Sequence, residues 1–194
     1  MYEFKLFSPA DAGNIVDWNE GKAGDFLMQW AGRAFQHPIT EAQVIEDARN
    51  CCNAVFSIFY QEEMIGTIAL IQVDEKTGSA YWGHYLLNPA MTGKGHGTAI
   101  LREFISYCFG ILKLKELTLR VFAYNTSALQ CYLTNGFVET ERNTLDNGQD
   151  VLVMNLKKTK EESIDQSPVI IRLEEEKDRY AAEKMTQHAF WNLH

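Results

Sequence analysis

Three glycines alternate with other residues just before a helical pattern begins, in the segment Gly93-Lys94-Gly95-His96-Gly97. Glycine permits a positive φ and lets a ligand approach the main chain closely. Successive N–H groups at the start of a helix bind anionic oxygens, and the helix dipole strengthens that interaction. The segment therefore predicts a site for a phosphate or a diphosphate.

Two common phosphate-binding motifs do not fit this segment. The P-loop requires Gly-Lys followed by Ser or Thr, which the chain lacks. The dinucleotide-binding pattern GxGxxG requires a third glycine where Thr98 or Ile100 stands. The pattern that fits is [Q/R]xxGxG/A, with Gly95 and Gly97 on its two glycine positions, and it resembles the turn of the GNAT N-acetyltransferases.

A second segment agrees with this resemblance. Residues 125–137, Asn-Thr-Ser-Ala-Leu-Gln-Cys-Tyr-Leu-Thr-Asn-Gly-Phe, match the NxxAxxxYxxxGF signature of that family at every fixed position. The order and separation of the two segments also match, and the resemblance covers about residues 2–157. A weaker likeness to the ribosomal-protein N-terminal acetyltransferases occurs around residues 29–40.

The resemblance implies acetyl-CoA as co-substrate and no metal. It places the diphosphate on the main-chain N–H groups of Lys94, Gly95, His96, Gly97 and Thr98. The first position of the family's motif is Arg or Gln, but this chain has Thr92 there. A hydroxyl cannot replace the charged contact of a guanidinium, so affinity for the co-substrate is lower or Lys94 contributes.

The resemblance also assigns the pantetheine arm and one proton transfer. Main-chain groups of Tyr85 and Leu87 are expected to pair with the arm, and Asn125 is expected to contact it. Tyr132 is expected to return a proton to the departing thiolate. A tyrosine, with an ordinary pKa of about 10, suits that donation.

The base that takes the proton of the amine is not fixed by the sequence. Tyr81 and His84 lie on one predicted strand at an odd separation, so they are expected to face opposite sides of the sheet. Tyr81 shares its predicted face with Tyr85 and Leu87 and is the preferred candidate. Histidine side chains titrate nearer to neutral pH, but His84 is interpreted as a core residue.

Other candidate contacts with a substrate have simpler interpretations. Glu20, Asp25 and Glu139 could bind a cationic substrate, but solvated carboxylates are the safer interpretation. Phe26, Trp30 and Phe35 form an aromatic group that is more typical of a core than of a lid over a substrate.

Apolar periodicity supplies the elements that must hold these groups. The predicted strands span residues 2–7, 54–60, 65–73, 79–87, 117–122, 137–142 and 151–156. Helices are expected from Ser8, around Phe26 to Trp30, from Thr40 to Asn50, from Gly95, and over 125–134. Hairpins followed by alternating strands and helices predict an α/β fold with a mixed, mostly antiparallel central sheet and helices on both faces.

The domain organisation follows from a change in composition. The acetyltransferase-like domain is predicted over residues 1–157, a polar linker over 158–168 and a strand–helix extension over 169–194. The extension weakly echoes the N-terminus. It is interpreted either as the start of an incomplete second copy or as a docking element that builds a homodimer.

Composition limits the class of protein. The formal net charge is −8 and 46% of the 194 residues are apolar, which favours a folded protein that does not bind nucleic acid. The four cysteines lack the spacing of a zinc site. Neither a signal peptide nor a membrane-spanning run is evident, so a cytoplasmic location without membrane contact is expected.

The sequence thus predicts an N-acetyltransferase in which a primary amine, of a small molecule or a peptide, attacks acetyl-CoA directly. The alternative is a non-catalytic acyl-CoA-binding module that acts as a sensor or a partner domain. Thr92 and the lack of an obvious base motivate that alternative.

Overall fold

The computed structural model describes residues 1–50 and 54–159. The predicted strand–helix extension lies outside the described residues, as do Cys51, Cys52 and nearly all of the predicted linker. Both sequence motifs lie inside them.

Seven strands of the described residues form one sheet. They are β1 (Glu3–Leu6), β2 (Ala54–Tyr60), β3 (Glu63–Asp74), β4 (Ser79–Leu87), β5 (Glu116–Phe122), β6 (Val138–Thr144) and β7 (Asp150–Lys157). Their spatial order is β1-β2-β3-β4-β5-β7-β6, and neighbouring strands are antiparallel except for the parallel pair β4 and β5. The predicted α/β fold with a mixed, mostly antiparallel sheet is confirmed.

Five α-helices in the described residues cover this sheet. They are α1 (Ala12–Asn19), α2 (Gly24–Ala31), α3 (Glu41–Asn50), α4 (His96–Gly110) and α5 (Thr126–Thr134). Leu86 joins the apolar cluster of α1 to α3, whereas its neighbour Leu87 packs against the cluster of α4 and α5. Adjacent residues of a strand point to opposite faces, so helices lie on both faces, as predicted.

Local capping explains where several helices begin. Ser8 and Asp11 form a capping box that opens a short 3-10 turn leading into α1. Thr40 caps α3, because its hydroxyl accepts a 3.3 Å hydrogen bond from the N–H of Gln43. The Gln43 side chain does not complete a capping box with Thr40, since it accepts from the N–H of Gln36 instead.

The turn between β2 and β3 is shorter than the sequence predicts. Gln61 and Glu62 both have positive φ, 51° and 68°, and they alone separate the two strands. Strand β3 therefore begins at Glu63, two residues before the predicted start at Ile65. Asn and Gly are the usual residues of such turns, and neither marks this one.

The sheet opens where β4 and β5 separate. The pairing of these two strands covers Ser79–Tyr81 and Glu116–Thr118. The second half of β4 and the end of β5 then diverge, and the glycine-rich turn follows β4 directly. This opening positions the site.

Candidate active site

The gap between β4 and β5 leads into a cavity of about 460 Å³. Its walls come from the second half of β4, the turn before α4, the end of β5 and the first turns of α5. Gln29 and Trp30 of α2 line one side. The two sequence motifs, which α4 and β5 separate along the chain, therefore face one space.

The first turn of α4 presents N–H groups that no protein acceptor uses. Gly95 is the N-cap residue with φ 82°, and Gly93 before it has φ 74°. In the described part of the chain, the N–H groups of residues 94–98 have no hydrogen-bond acceptor. A Cβ built on Gly93 or Gly95 would meet nothing within 4 Å, so the main chain is open to a ligand. Five consecutive donors at the positive end of a helix fit a diphosphate.

The side chains of this turn point elsewhere. The Thr92 hydroxyl donates a 2.8 Å hydrogen bond to the carbonyl of Pro89 and so closes the preceding turn. Lys94 is exposed and does not line the cavity. Nδ1 of His96 shares a 2.7 Å hydrogen bond with the Tyr2 hydroxyl, so the ring anchors α4 to the start of the chain.

Strand β4 offers main-chain groups to the gap. The N–H of Asn88 donates to the carbonyl of Ile65 in β3, at 2.7 Å. Peptide groups alternate in direction along a strand, so those of Leu87 point towards the gap. The Tyr85 hydroxyl donates to the carbonyl of Gly97 at 3.0 Å and ties β4 to α4.

Helix α5 forms the opposite wall. Oδ1 of Asn125 accepts a 3.2 Å hydrogen bond from the N–H of Ala128 and caps the helix. Nδ2 of Asn125 has no acceptor among the described residues, and the residue lines the cavity. The Thr98 hydroxyl donates to Sγ of Cys131 at 3.4 Å, so this wall also contacts the first turn of α4.

Tyr132 is the buried tyrosine of this wall. Its ring packs against Trp82 and Phe137, with centroids 6.1 and 5.9 Å apart. Burial, assisted by Cys131 and Tyr81, raises the pKa of the Tyr132 hydroxyl. The phenol therefore stays protonated at neutral pH and can donate a proton into the cavity that it lines.

A β-bulge interrupts the second half of β4. Along β3 one residue separates the partners of Gly83 and Leu86, whereas along β4 two residues, His84 and Tyr85, separate them. His84 takes a φ of 49° at this point. The extra residue changes which side chains of β4 share a face.

The bulge makes the predicted orientation of Tyr81 wrong. Tyr85 stacks on Trp82 at 6.4 Å, so these two residues share a face. Tyr81 is next to Trp82 and points to the other face, and it is outside the set of residues that line the cavity. Burial raises the pKa of its hydroxyl, and Arg120 opposes that rise.

His84 lines the cavity and has a carboxylate partner. Its Nδ1 lies 3.3 Å from Oδ2 of Asp47 in α3, and each of the two side chains is 12% exposed. The rings of Trp30 and Phe35 lie 6.3 and 5.8 Å from the imidazole. Sequence reasoning ranked His84 second and missed Asp47, because no motif connects two residues that only the packing of α3 on β4 brings together.

Trp30 belongs to the cavity wall as well as to the apolar packing. Its Nε1 donates a 3.1 Å hydrogen bond to Oδ1 of Asn19, and its ring lies 5.5 Å from that of Phe35. Phe26 and Phe35 pack against the cluster of α1 to α3, as predicted. The core interpretation therefore holds for these two residues and is incomplete for Trp30.

A comparison with known protein families shows to which family the chain with this site belongs. Residues 24–137, more than half of the chain, match the acetyltransferase (GNAT) family. The chain belongs to this family. It is thus an acyl-CoA-dependent N-acetyltransferase that transfers an acetyl group to an amine.

Solved structures show the same fold for this acetyltransferase. Spermidine N-acetyltransferase from Vibrio cholerae in complex with CoA and spermine has a TM-score of 0.67 at 23% identity, over 80% of this chain and 95% of that one. A probable acetyltransferase has a TM-score of 0.66 at 22% identity, over 80% and 92%. A dodecameric structure of the Vibrio cholerae enzyme has a TM-score of 0.62 at 21% identity, over 86% and 98%.

The three carboxylates that the sequence offered for a cationic substrate do not line the cavity of the acetyltransferase. Glu139 is exposed and lies 3.0 Å from Arg142, whose hydrogen bond lowers the pKa of that carboxyl. Glu20 lines a second cavity, between α1 and Pro38. Asp25 is exposed in the first turn of α2.

Two further properties concern the described residues only. Within 1–50 and 54–159, no three side chains of His, Cys, Asp or Glu converge as metal ligands would. Among the same residues, no helix combines the length and the apolar character that crossing a membrane requires.

Proposed function

We propose that this acetyltransferase uses acetyl-CoA and that a primary amine attacks it directly, without an acetylated enzyme. The amine nitrogen forms a C–N bond with the thioester carbonyl carbon while the C–S bond breaks. The amine loses one proton and the thiolate gains one. The observation that carries the proposal is one cavity lined both by Tyr132 and by Gly95, Gly97 and Thr98, whose N–H groups have no acceptor among the described residues.

The main chain would hold most of the co-substrate. The N–H groups of Lys94 to Thr98 would bind the diphosphate, and Lys94 adds an exposed cation beside them. Peptide groups of Tyr85 and Leu87 would pair with the pantetheine arm, and Nδ2 of Asn125 would donate to it. The hydroxyl of Thr92 is already used by Pro89, which supports binding through the backbone without the family's Arg or Gln.

Tyr132 would supply the proton of the thiolate. Its raised pKa keeps the phenol neutral, and its ring is held against Trp82 in the cavity wall. Tyr81 remains a predicted base without support from the geometry, since it does not line the cavity.

The amine substrate is to be identified with a panel of candidate amines. The solved relative that holds spermine makes a polyamine the first substrate to test. The net charge of −8 is compatible with a cationic substrate. A peptide α-amine, an amino acid and an aminoglycoside complete the panel.

The test combines thiol release, initial rates and intact mass. Direct attack predicts that free CoA appears only when an amine is present and that double-reciprocal plots intersect. It also predicts an unmodified enzyme mass after incubation with acetyl-CoA alone. Parallel plots and an acetyl adduct, for example on Cys131 in the cavity wall, would contradict direct attack. CoA binding without thiol release from any amine would support the non-catalytic module.

A homodimer built by residues 169–194 is a separate proposal. It predicts that the full chain is a dimer and that a variant shortened after residue 158 is a monomer when the molar mass of each is measured by light scattering. A monomeric full chain would contradict it.

A further inference from the structure

We infer that His84 accepts the proton of the attacking amine at Nε2 and that Asp47 is its positioning residue. This inference rests on the direct attack proposed above. It names the base that takes the proton of the amine, which the sequence alone did not assign.

The backbone at His84 is unusual. Three other non-glycine residues of the described chain have positive φ, Gln61, Glu62 and Lys113, and all three lie in connections between elements. His84 instead lies inside a strand, where a left-handed residue costs about 1–2 kcal/mol. Bulges of this kind redirect a side chain, and such strain concentrates at functional sites.

Asp47 fixes the proton of the ring. A carboxylate 3.3 Å from Nδ1 favours the tautomer with the proton on Nδ1, which leaves the lone pair on Nε2. The same carboxylate stabilises the imidazolium that forms when Nε2 takes a proton. Asp47 is itself held on α3, 12% exposed, so the pair has a defined geometry.

The residues around the imidazole favour His84 as the proton acceptor. Trp30 and Phe35 flank the ring without adding charge, and the Trp30 indole is fixed by its hydrogen bond to Asn19. Apart from His84, the ionisable side chains among the described lining residues are Tyr85, Arg120, Cys131 and Tyr132. None of these is a carboxylate, and imidazole is the side chain suited to take a proton near neutral pH.

The proton balance assigns one group to each half of the reaction. The amine proton passes to Nε2 of His84 as the C–N bond forms, and Tyr132 gives its proton to the thiolate as the C–S bond breaks. Solvent then removes the proton from His84 and returns one to Tyr132. The net change is transfer of one proton from amine to thiol.

The test is His84→Asn. Asparagine tolerates a positive φ, and its amide can still donate to Asp47, so the bulge is retained while the proton acceptor is lost. We expect kcat to fall on the order of 100-fold, with the Kd for acetyl-CoA unchanged in calorimetry. His37→Asn, at an exposed histidine beside Pro38, is the matched control and should keep the wild-type kcat.

The pH profile separates a base from a packing residue. With two amines of different pKa, the wild type should show one acidic limb of kcat/KM that does not move with the amine, and His84→Asn should lack it. Asp47→Asn changes no residue of β4 and should lower kcat by less than His84→Asn does. Glu46→Gln, at an exposed position of the same helix, is its control. This second pair also carries the test if His84→Asn does not fold.

The outcomes distinguish the two proposals. Wild-type kcat and an unchanged acidic limb in His84→Asn, or in Asp47→Asn when the first variant does not fold, would overturn the role of His84 and leave direct attack intact. Parallel initial-rate plots with an acetylated wild-type enzyme, or no thiol release with any amine, would overturn direct attack itself.

Discussion

The two sides of the cavity are built in different ways. The side formed by α4 uses consecutive main-chain N–H groups from a single short segment. The side that faces α2 uses the side chains of Trp30 and His84, from α2 and β4, and Asp47 of α3 lies beside the imidazole. A main-chain site depends on backbone conformation and tolerates exchange of a side chain, as at Thr92. A side-chain site depends on how separate elements pack.

The largest effect is expected from a variant that disrupts the main-chain side of the cavity. Gly95→Val places a β-branched residue at φ 82°, so the turn must change shape and the N–H groups lose their common direction. We expect the affinity for CoA to fall on the order of 100-fold, about 2.7 kcal/mol, as measured by calorimetry. Gly148→Val, at φ 79° in the β6–β7 turn, is the matched control for strain.

Both variants should lose similar stability, since each forces a left-handed valine at a cost of about 1–2 kcal/mol. Only Gly95→Val should lose CoA. Equal CoA affinity in the two variants would show that the turn at α4 does not hold the co-substrate.

The next largest effect is expected at Tyr132, the proposed proton donor to the thiolate. Tyr132→Phe removes the hydroxyl and keeps the ring contacts with Trp82 and Phe137. We expect kcat to fall on the order of 100-fold with little change in the Kd for CoA. Tyr107→Phe, at another buried tyrosine of the same apolar cluster, is the control and should keep the wild-type rate. A wild-type kcat in Tyr132→Phe would remove Tyr132 from the mechanism.

A smaller effect is expected from the anchor of α4. Tyr2→Phe removes the 2.7 Å hydrogen bond to His96, and a bond of this kind contributes about 0.5–1.5 kcal/mol. The Kd for CoA should rise a few-fold, with kcat unchanged, because the first turn of α4 loses a restraint. Tyr60→Phe is the control, since this ring packs against His96 at 5.1 Å and should act through contact alone. A lowered kcat with normal affinity would argue against anchoring.

The smallest expected effect is a rate that stays constant at alkaline pH. Burial raises the pKa of Tyr132, so its neutral, proton-donating form persists above the ordinary tyrosine value of about 10. The kcat at saturating substrates should therefore stay level from about pH 8 to about pH 10. A decline across this range that is absent from Tyr132→Phe would show that the phenol ionises at its ordinary pKa.

The fold and the main-chain side were largely predictable, because their signals are local. The glycines at 93, 95 and 97 predicted an anion site, and the N–H groups there have no acceptor among residues 1–50 and 54–159. The orientation of Tyr81 was wrong because strand alternation assumes a regular strand, and no residue type announced the bulge at His84. The positive φ of Gln61 and Glu62 was not predicted either, because neither residue type marks a left-handed position.

The sequence by itself determined the α/β fold, its glycine-rich turn and the tyrosine of α5, since periodicity and short motifs encode groups that are close along the chain. Only the tertiary structure decided which side chain of β4 faces the cavity and which carboxylate lies beside that side chain. The pairing of His84 with Asp47 depends on α3 packing against a bulged strand. Such packing depends on residues from several elements at once, and no single segment of sequence records it.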